Sequence, residues 1–182
     1  MDTVAFRYLS RDVLKYIDML EILQMPACRV LFAGERGVLL SHEGLYLLAC
    51  EQGDADSFLP ALTSGLDQEP DRMVLLHDAV LVEPLVSGWG SQSKIVCHQA
   101  VYQKSEPIAF SLPAGAEIRR LDLRHLDFVH AHYHTVDDLS YLRERIEEGM
   151  FGVFFGGERA GFIGTHDERS IGMLEILPPF RR

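Results

Sequence analysis

Glu175 stands alone among apolar neighbours in MLEIL, residues 173–177. A carboxylate buried in such a strand resists ionisation, because a low dielectric penalises the charged form. It can then serve as a base near neutral pH. The plainer reading is a strand glutamate that faces solvent or pairs with an arginine. His166, in THDERS, offers an imidazole whose intrinsic pKa suits proton transfer; its plainer reading is a solvated loop histidine. HAHYHTVDD, residues 130–138, gathers His130, His132 and His134. On a helix His130 and His134 would share a face, four residues apart, with His132 pointing elsewhere. Zinc-binding helices carry HExxH or further ligands nearby, which this stretch lacks, so no metal site is assigned.

These groups need elements to hold them. SRDVLKYIDMLEILQ, residues 10–24, sets Val13, Leu14, Ile17, Leu20 and Ile22 close to helical spacing. Ser10 is placed to cap that helix, and Pro26 to end it. RVLFA, GVLLS and LYLLAC, separated by GERG and HEG, predict an antiparallel meander. GDADSFLPALTSG predicts a short helix and RMVLLH a buried strand. DAVLVEPLVSGWG reads as a helix to Gly88, with Trp89 as a packing anchor, and SKIVCHQAVYQK as one more strand. Pro107, Pro113 and Gly115 mark a boundary near residue 113, giving an N-terminal α/β domain over 1–113 and a second domain over 114–182.

The second domain is cleaner. AEIRRLD is a short strand, and Asp122 can cap a helix through LRHLDFVHAHYH, with Leu126, Val129 and Tyr133 on one face. Thr135 or Asp137 caps DDLSYLRERIEEG, which buries Leu139, Leu142 and Ile146 and closes at Gly149. Three strands follow, turned at GGER and THDERS. The order is β-α-α-β-β-β, and the whole chain reads as α/β of the α+β kind.

Charge and composition exclude several classes. With 17 Lys+Arg against 27 Asp+Glu the net charge is -10, which leaves no basic footprint for nucleic acid. Arginine is the only cation of residues 114–182, a slight pointer to phosphate. No uncharged apolar run is long enough to span a membrane, and MDTVAFRYLSRD is not a secretory signal. Cys28, Cys50 and Cys97 lie far apart in apolar runs and read as buried thiols of a reducing cytoplasm.

The strand EIRRLD, the two helices to Gly149, the hairpin FGVFFGGERAGFIGTHD and the strand MLEILPPFRR resemble the first half of a GCN5-related N-acetyltransferase, over about residues 116–182. Residues 1–113 are similar, less specifically, to the N-terminal portion of some bacterial members. In that family the fourth strand leads through proline to a Q/R-x-x-G-x-G/A loop. Pro178 takes the proline position, and Arg181 and Arg182 the first two of the loop. The resemblance implies acetyl-CoA as donor, its pantetheine laid along the strand at Leu174, Glu175 and Ile176 and its pyrophosphate on the loop that Arg181 and Arg182 begin. It implies acceptor contacts from the loop between the first two helices: Tyr133, His134, Asp137 and Asp138. Acidic groups there suit a cationic amine, although helix capping by Asp137 or Asp138 competes with that role. Glu175 is the first candidate base and His166 the second.

The resemblance further implies that the sequence stops inside the loop motif, as a fragment with little activity whose general acid would lie past Arg182. The acceptor would be a small-molecule or peptide amine. The open side of residues 171–178 would be covered by the N-terminal part or, in a homodimer, by a second chain. Two rivals remain: a non-catalytic binding or regulatory module on the same scaffold, and a histidine-metal protein.

Overall fold

The computed structural model describes residues 2–51, 73–89 and 94–181, except the side chains of Val80, Pro84, Gly88 and Trp89. The helix expected over residues 53–65, the packing role of Trp89 and the position of Arg182 lie outside the described residues. The chain divides into two units, Met1–Gln103 and Lys104–Arg182. That division and the boundary read near Pro113 both fall in residues 94–115, where no helix or strand forms.

The first unit is built on a sheet of order β1-β2-β3-β4: Arg29–Gly34, Gly37–His42, Leu45–Cys50 and Met73–Leu76. The expected meander is β1 to β3, antiparallel throughout, and β4 adds in parallel to β3. Glu43 and Gly44, both at positive φ, make the two-residue turn between β2 and β3. Helices α1 (Thr3–Leu9) and α2 (Ile17–Ile22) fill one face. There Tyr8, Leu9, Met19 and Ile22 meet Val38, Leu40 and Leu47. On the other face Leu39, Tyr46 and Leu48 meet Leu81 and Leu85, the latter on α3 (Val82–Trp89). Strand β2 is buried along its whole length.

Two expectations fail in this unit. Residues 10–24 do not form one helix. Asp2, not Ser10, caps α1 through the Val4 and Ala5 amides, and Ser10 closes that helix at its C-terminal end. The inward residues are Tyr16, Met19 and Ile22, while Val13 and Leu14 are exposed in a break between helices. Residues 94–104, the described part of SKIVCHQAVYQK, form no strand: Ile95 and Val96 are 85% and 80% exposed, and Cys97 is an exposed thiol. Alternation alone does not make a strand without a partner to complete its hydrogen bonds. Cys50 is buried as expected and Cys28 half-buried, where burial raises its thiol pKa.

The second unit follows the expected β-α-α-β-β-β order: β5 (Ala116–Arg120), α4 (Leu126–His132), α5 (Leu139–Gly149), β6 (Phe151–Phe155), β7 (Glu158–Thr165) and β8 (Ile171–Ile176). Its sheet is a plain antiparallel meander, β5-β6-β7-β8. Gly156 and Gly157, at φ +58° and +88°, form the tight β6–β7 turn, a geometry that suits residues without a side chain. Helices α4 and α5 cover one face, where Val129, Leu142, Ile146, Phe162 and Met173 share a core. Leu139, expected inside, is 49% exposed; Arg145 takes an inward place on α5 instead. Among the described residues no helix is long and apolar enough to cross a membrane.

Candidate functional site

Strand β8 is an edge strand of the second unit: it pairs with β7, and among the described residues nothing pairs with its outer side. Main-chain groups of successive residues in a strand face alternate sides. The Leu177 amide donates to the Ala160 carbonyl (2.8 Å), toward β7. The Glu175 carbonyl also faces β7, so closely that a Cβ on Gly161 would lie 2.2 Å from it. Glu175 and Leu177 therefore point inward through their backbones, and Leu174 and Ile176 point outward. Of the three residues matched to the cofactor strand, two offer main-chain groups at the open edge. Glu175 can contribute there only through its side chain.

The outward Ile176 carbonyl is taken. Arg181, in the short turn after Pro178–Phe180, donates to it through Nε at 2.6 Å, and its guanidinium also pairs with the Glu175 carboxylate. The carboxylate expected to be isolated in MLEIL is thus arginine-bound. Its apolar neighbours in sequence point to the opposite face of the sheet, because side chains alternate along a strand.

His166 lies at the other end of β8. Thr165 sits opposite Ile171, and Phe162 opposite Glu175. The two candidate bases are therefore separated by some four residues of strand, roughly 13 Å at about 3.3 Å per residue, and cannot act on one atom. His166 is held by groups that sequence reasoning did not unite. Its Nδ1 lies 2.5 Å from the Tyr141 hydroxyl, and its Nε2 3.4 Å from the Tyr133 hydroxyl. The planes of the His166 and Tyr141 rings lie 27° apart, with centroids separated by 6.1 Å. A Cβ on Gly172 would fall 2.1 Å from the imidazole, so glycine on β8 makes room for the ring. Burial raises the pKa of both phenols and keeps them protonated well above neutral pH.

Behind this group lies Arg145, only 6% exposed in its side chain. It bonds Asp167 at 2.7 Å and the Glu148 carboxylate at 3.0 Å, and its guanidinium sits 5.4 Å from the Tyr141 ring centre. Its Nε is buried without a hydrogen-bond partner. Arg145 thus fixes both the His166 turn and Tyr141.

Of the remaining acceptor candidates, Asp138 and Asp137 have structural work. Asp138, rather than Thr135 or Asp137, caps α5 through the Ser140 and Tyr141 amides at 2.7 and 3.2 Å, because it stands immediately before the first helical residue. Asp137 pairs with His130 at 2.7 Å. His132 bonds the Phe128 carbonyl at 2.8 Å. His134 is exposed and lies past the end of α4, where Tyr133 is already extended, so His130 and His134 share no helix face. Two open clefts mark this unit. One, about 430 Å³, lies between Phe128, His132, Gly157, Arg159 and Leu177; another, about 320 Å³, lies between Arg120, Leu123 and Ile146. Of the residues singled out in the sequence for their chemistry, His132 lines the larger cleft, and none of the acyl-transfer candidates lines either.

No protein-family model and no curated protein matches the chain. Among solved structures, a Drosophila protein determined as a structural-genomics target aligns over 98% of this chain and 76% of its own. The TM-score is 0.58 and the identity 16%. At that identity the likeness concerns the fold alone, and the fold is a mixed α+β one with two four-stranded sheets.

Proposed function

We propose that the protein is an N-acetyltransferase that moves an acetyl group from acetyl-CoA to an amine. The observation that carries this reading is the edge strand β8. Its Leu174 and Ile176 backbones face outward, as a pantetheine arm with its own amides would require in order to add as an extra strand. Arg181, one short turn beyond, supplies a cation at the end where a pyrophosphate would lie. It would exchange Glu175 and the Ile176 carbonyl for phosphate oxygens. In the reaction the neutral amine attacks the thioester carbonyl, the C–N bond forms and the C–S bond breaks. Outward N–H groups of β8 would steady the developing oxyanion. Holding both substrates on one strand would supply much of the rate.

Titration calorimetry of the full-length protein with acetyl-CoA tests this. Leu174→Pro removes one outward N–H while leaving the bonds to β7 intact. We expect tight binding by the wild type and an affinity up to about tenfold lower in Leu174→Pro, the loss of one well-placed hydrogen bond. Absence of binding in the wild type would sink the reading. One observation favours the rival, a non-catalytic module on the same scaffold: Arg181 closes over both Glu175 and Ile176. Binding of acetyl-CoA without turnover on any amine would decide for that rival.

A further inference from the structure

The strand glutamate drew attention first, yet the opposite end of β8 holds the better arranged proton-transfer group. We propose that Tyr141 and His166 form the proton relay of the transferase, with Tyr133, Arg145 and Gly172 as the residues that position it. This rests on the acetyl-transfer reading above.

The geometry supplies the argument. A neutral imidazole has one N–H and one bare nitrogen. With Tyr141 donating its hydroxyl proton to Nδ1 across 2.5 Å, Nε2 carries the hydrogen and points it at the Tyr133 oxygen, 3.4 Å away. Both ring nitrogens are thus faced by hydroxyls, one from each end of the α4–α5 connection, and the His166 ring lies beside that of Tyr141 with the two planes 27° apart. The charged and titratable groups around it include Tyr133 at the end of α4, Tyr141 and Arg145 on α5, and Asp167, Glu168 and Arg169 in its own turn. Arg145 is tied to Asp167 and Glu148, which leaves the imidazole to accept a positive charge beside Glu168. Glu175, in contrast, is already bound by Arg181.

The step balances as follows. The amine nitrogen forms its bond to the acetyl carbon and becomes cationic. It passes a proton to the Tyr141 oxygen while Tyr141 passes its own to His166 Nδ1. Tyr141 ends unchanged, a neutral phenol as its raised pKa requires, and His166 becomes imidazolium. The C–S bond breaks, and the coenzyme A thiolate takes a proton back along the same route. Nothing is oxidised or reduced, and the proton lost by nitrogen ends on sulfur.

The test uses the full-length protein, acetyl-CoA, and a panel of alkylamines, polyamines, amino acids and peptides with free N-termini, with release of free thiol as the readout. His166→Gln keeps a hydrogen-bonding side chain but removes the base. We expect acetyl-CoA affinity within about twofold of wild type, kcat lower by about 100-fold or more, and loss of the acid limb of the kcat–pH profile. Tyr141→Phe should lower kcat with little change in KM and move the NMR-observed titration of the His166 ring. Gly172→Ala, which displaces the imidazole without changing its chemistry, should lower kcat in a protein whose circular dichroism is unchanged. A His166→Gln protein that keeps both rate and acid limb overturns the relay and leaves the transferase standing. Acetyl-CoA binding with no thiol release on any amine overturns the relay and favours the binding module. No acetyl-CoA binding overturns both readings.

Discussion

The sheet of the first unit is filled on both faces, by α1 and α2 on one side and by α3 with its preceding turn on the other. The sheet of the second unit is covered on one face by α4 and α5. Its other face shows Ile118, Phe151, Phe155 and Leu174 at 42–57% exposure, and Ile171 near the β7–β8 turn at 69%. The strands record this difference. GVLLSH and nearly all of LYLLAC are buried without alternation, as in a strand with both faces covered. FGVFF alternates between buried and exposed. The two four-stranded sheets thus differ: one buries its apolar surface on both faces, and the other, among the described residues, has one face and the β8 edge exposed.

Five measurements would sharpen or break that contrast. The largest effect is expected from Leu47→Ala, at a fully buried position of the first unit. It should cost about 2–5 kcal/mol in denaturant unfolding, from lost burial and the cavity left behind. In the second unit the buried charge matters most: Arg145→Ala should cost about 3 kcal/mol, because Asp167 loses its partner, and Arg145→Met distinctly less. Alkaline pH should weaken both units. Tyr8 in the first unit, and Tyr133 and Tyr141 in the second, have pKa values raised by burial. Their contribution is fully present below the unfolded value of about 10 and is lost as pH rises through the folded values. Pairwise Tyr→Phe variants should flatten the loss in the second unit more than Tyr8→Phe does in the first. Smaller effects, about 1 kcal/mol each, are expected from removing the helix caps Asp138 in the second unit and Asp2 in the first. Leu174→Ser, on the open face, should change stability by no more than about 0.5 kcal/mol. A loss there as large as that of Leu47→Ala would mean that the face is covered in solution, and the contrast would fail.

Much of the second unit was legible because local signals agreed with the tertiary outcome. Asp122 and the turn glycines stood where the chain turns, and Leu142 and Ile146 kept helical spacing on the buried side. Arg145 could have been found from the same pattern, three residues after Leu142 and one before Ile146. The helix over 10–24 misled because its periodicity ignored the break at Val13 and Leu14. SKIVCHQAVYQK misled because alternation describes a strand only when a neighbour exists.

For Glu175 the structure bears out the plainer of the two readings, a glutamate paired with an arginine, and the partner could not be named in advance. MLEIL is apolar along the chain, but the partner of Glu175 comes from Arg181, six residues later and around a turn. His166 offered no signal beyond its residue type. Its meeting with Tyr133, Tyr141 and the cleared space at Gly172 depends on two helix ends and a hairpin arriving at one place.

The element order and turns of the second unit, and the three-strand meander of the first, follow from residue spacing alone, because they rest on interactions between near neighbours in sequence. Which edge stayed open, which carboxylate was neutralised and which histidine became held by two phenols were decided only in three dimensions. Those contacts join residues separated along the chain, and no local pattern encodes their distance.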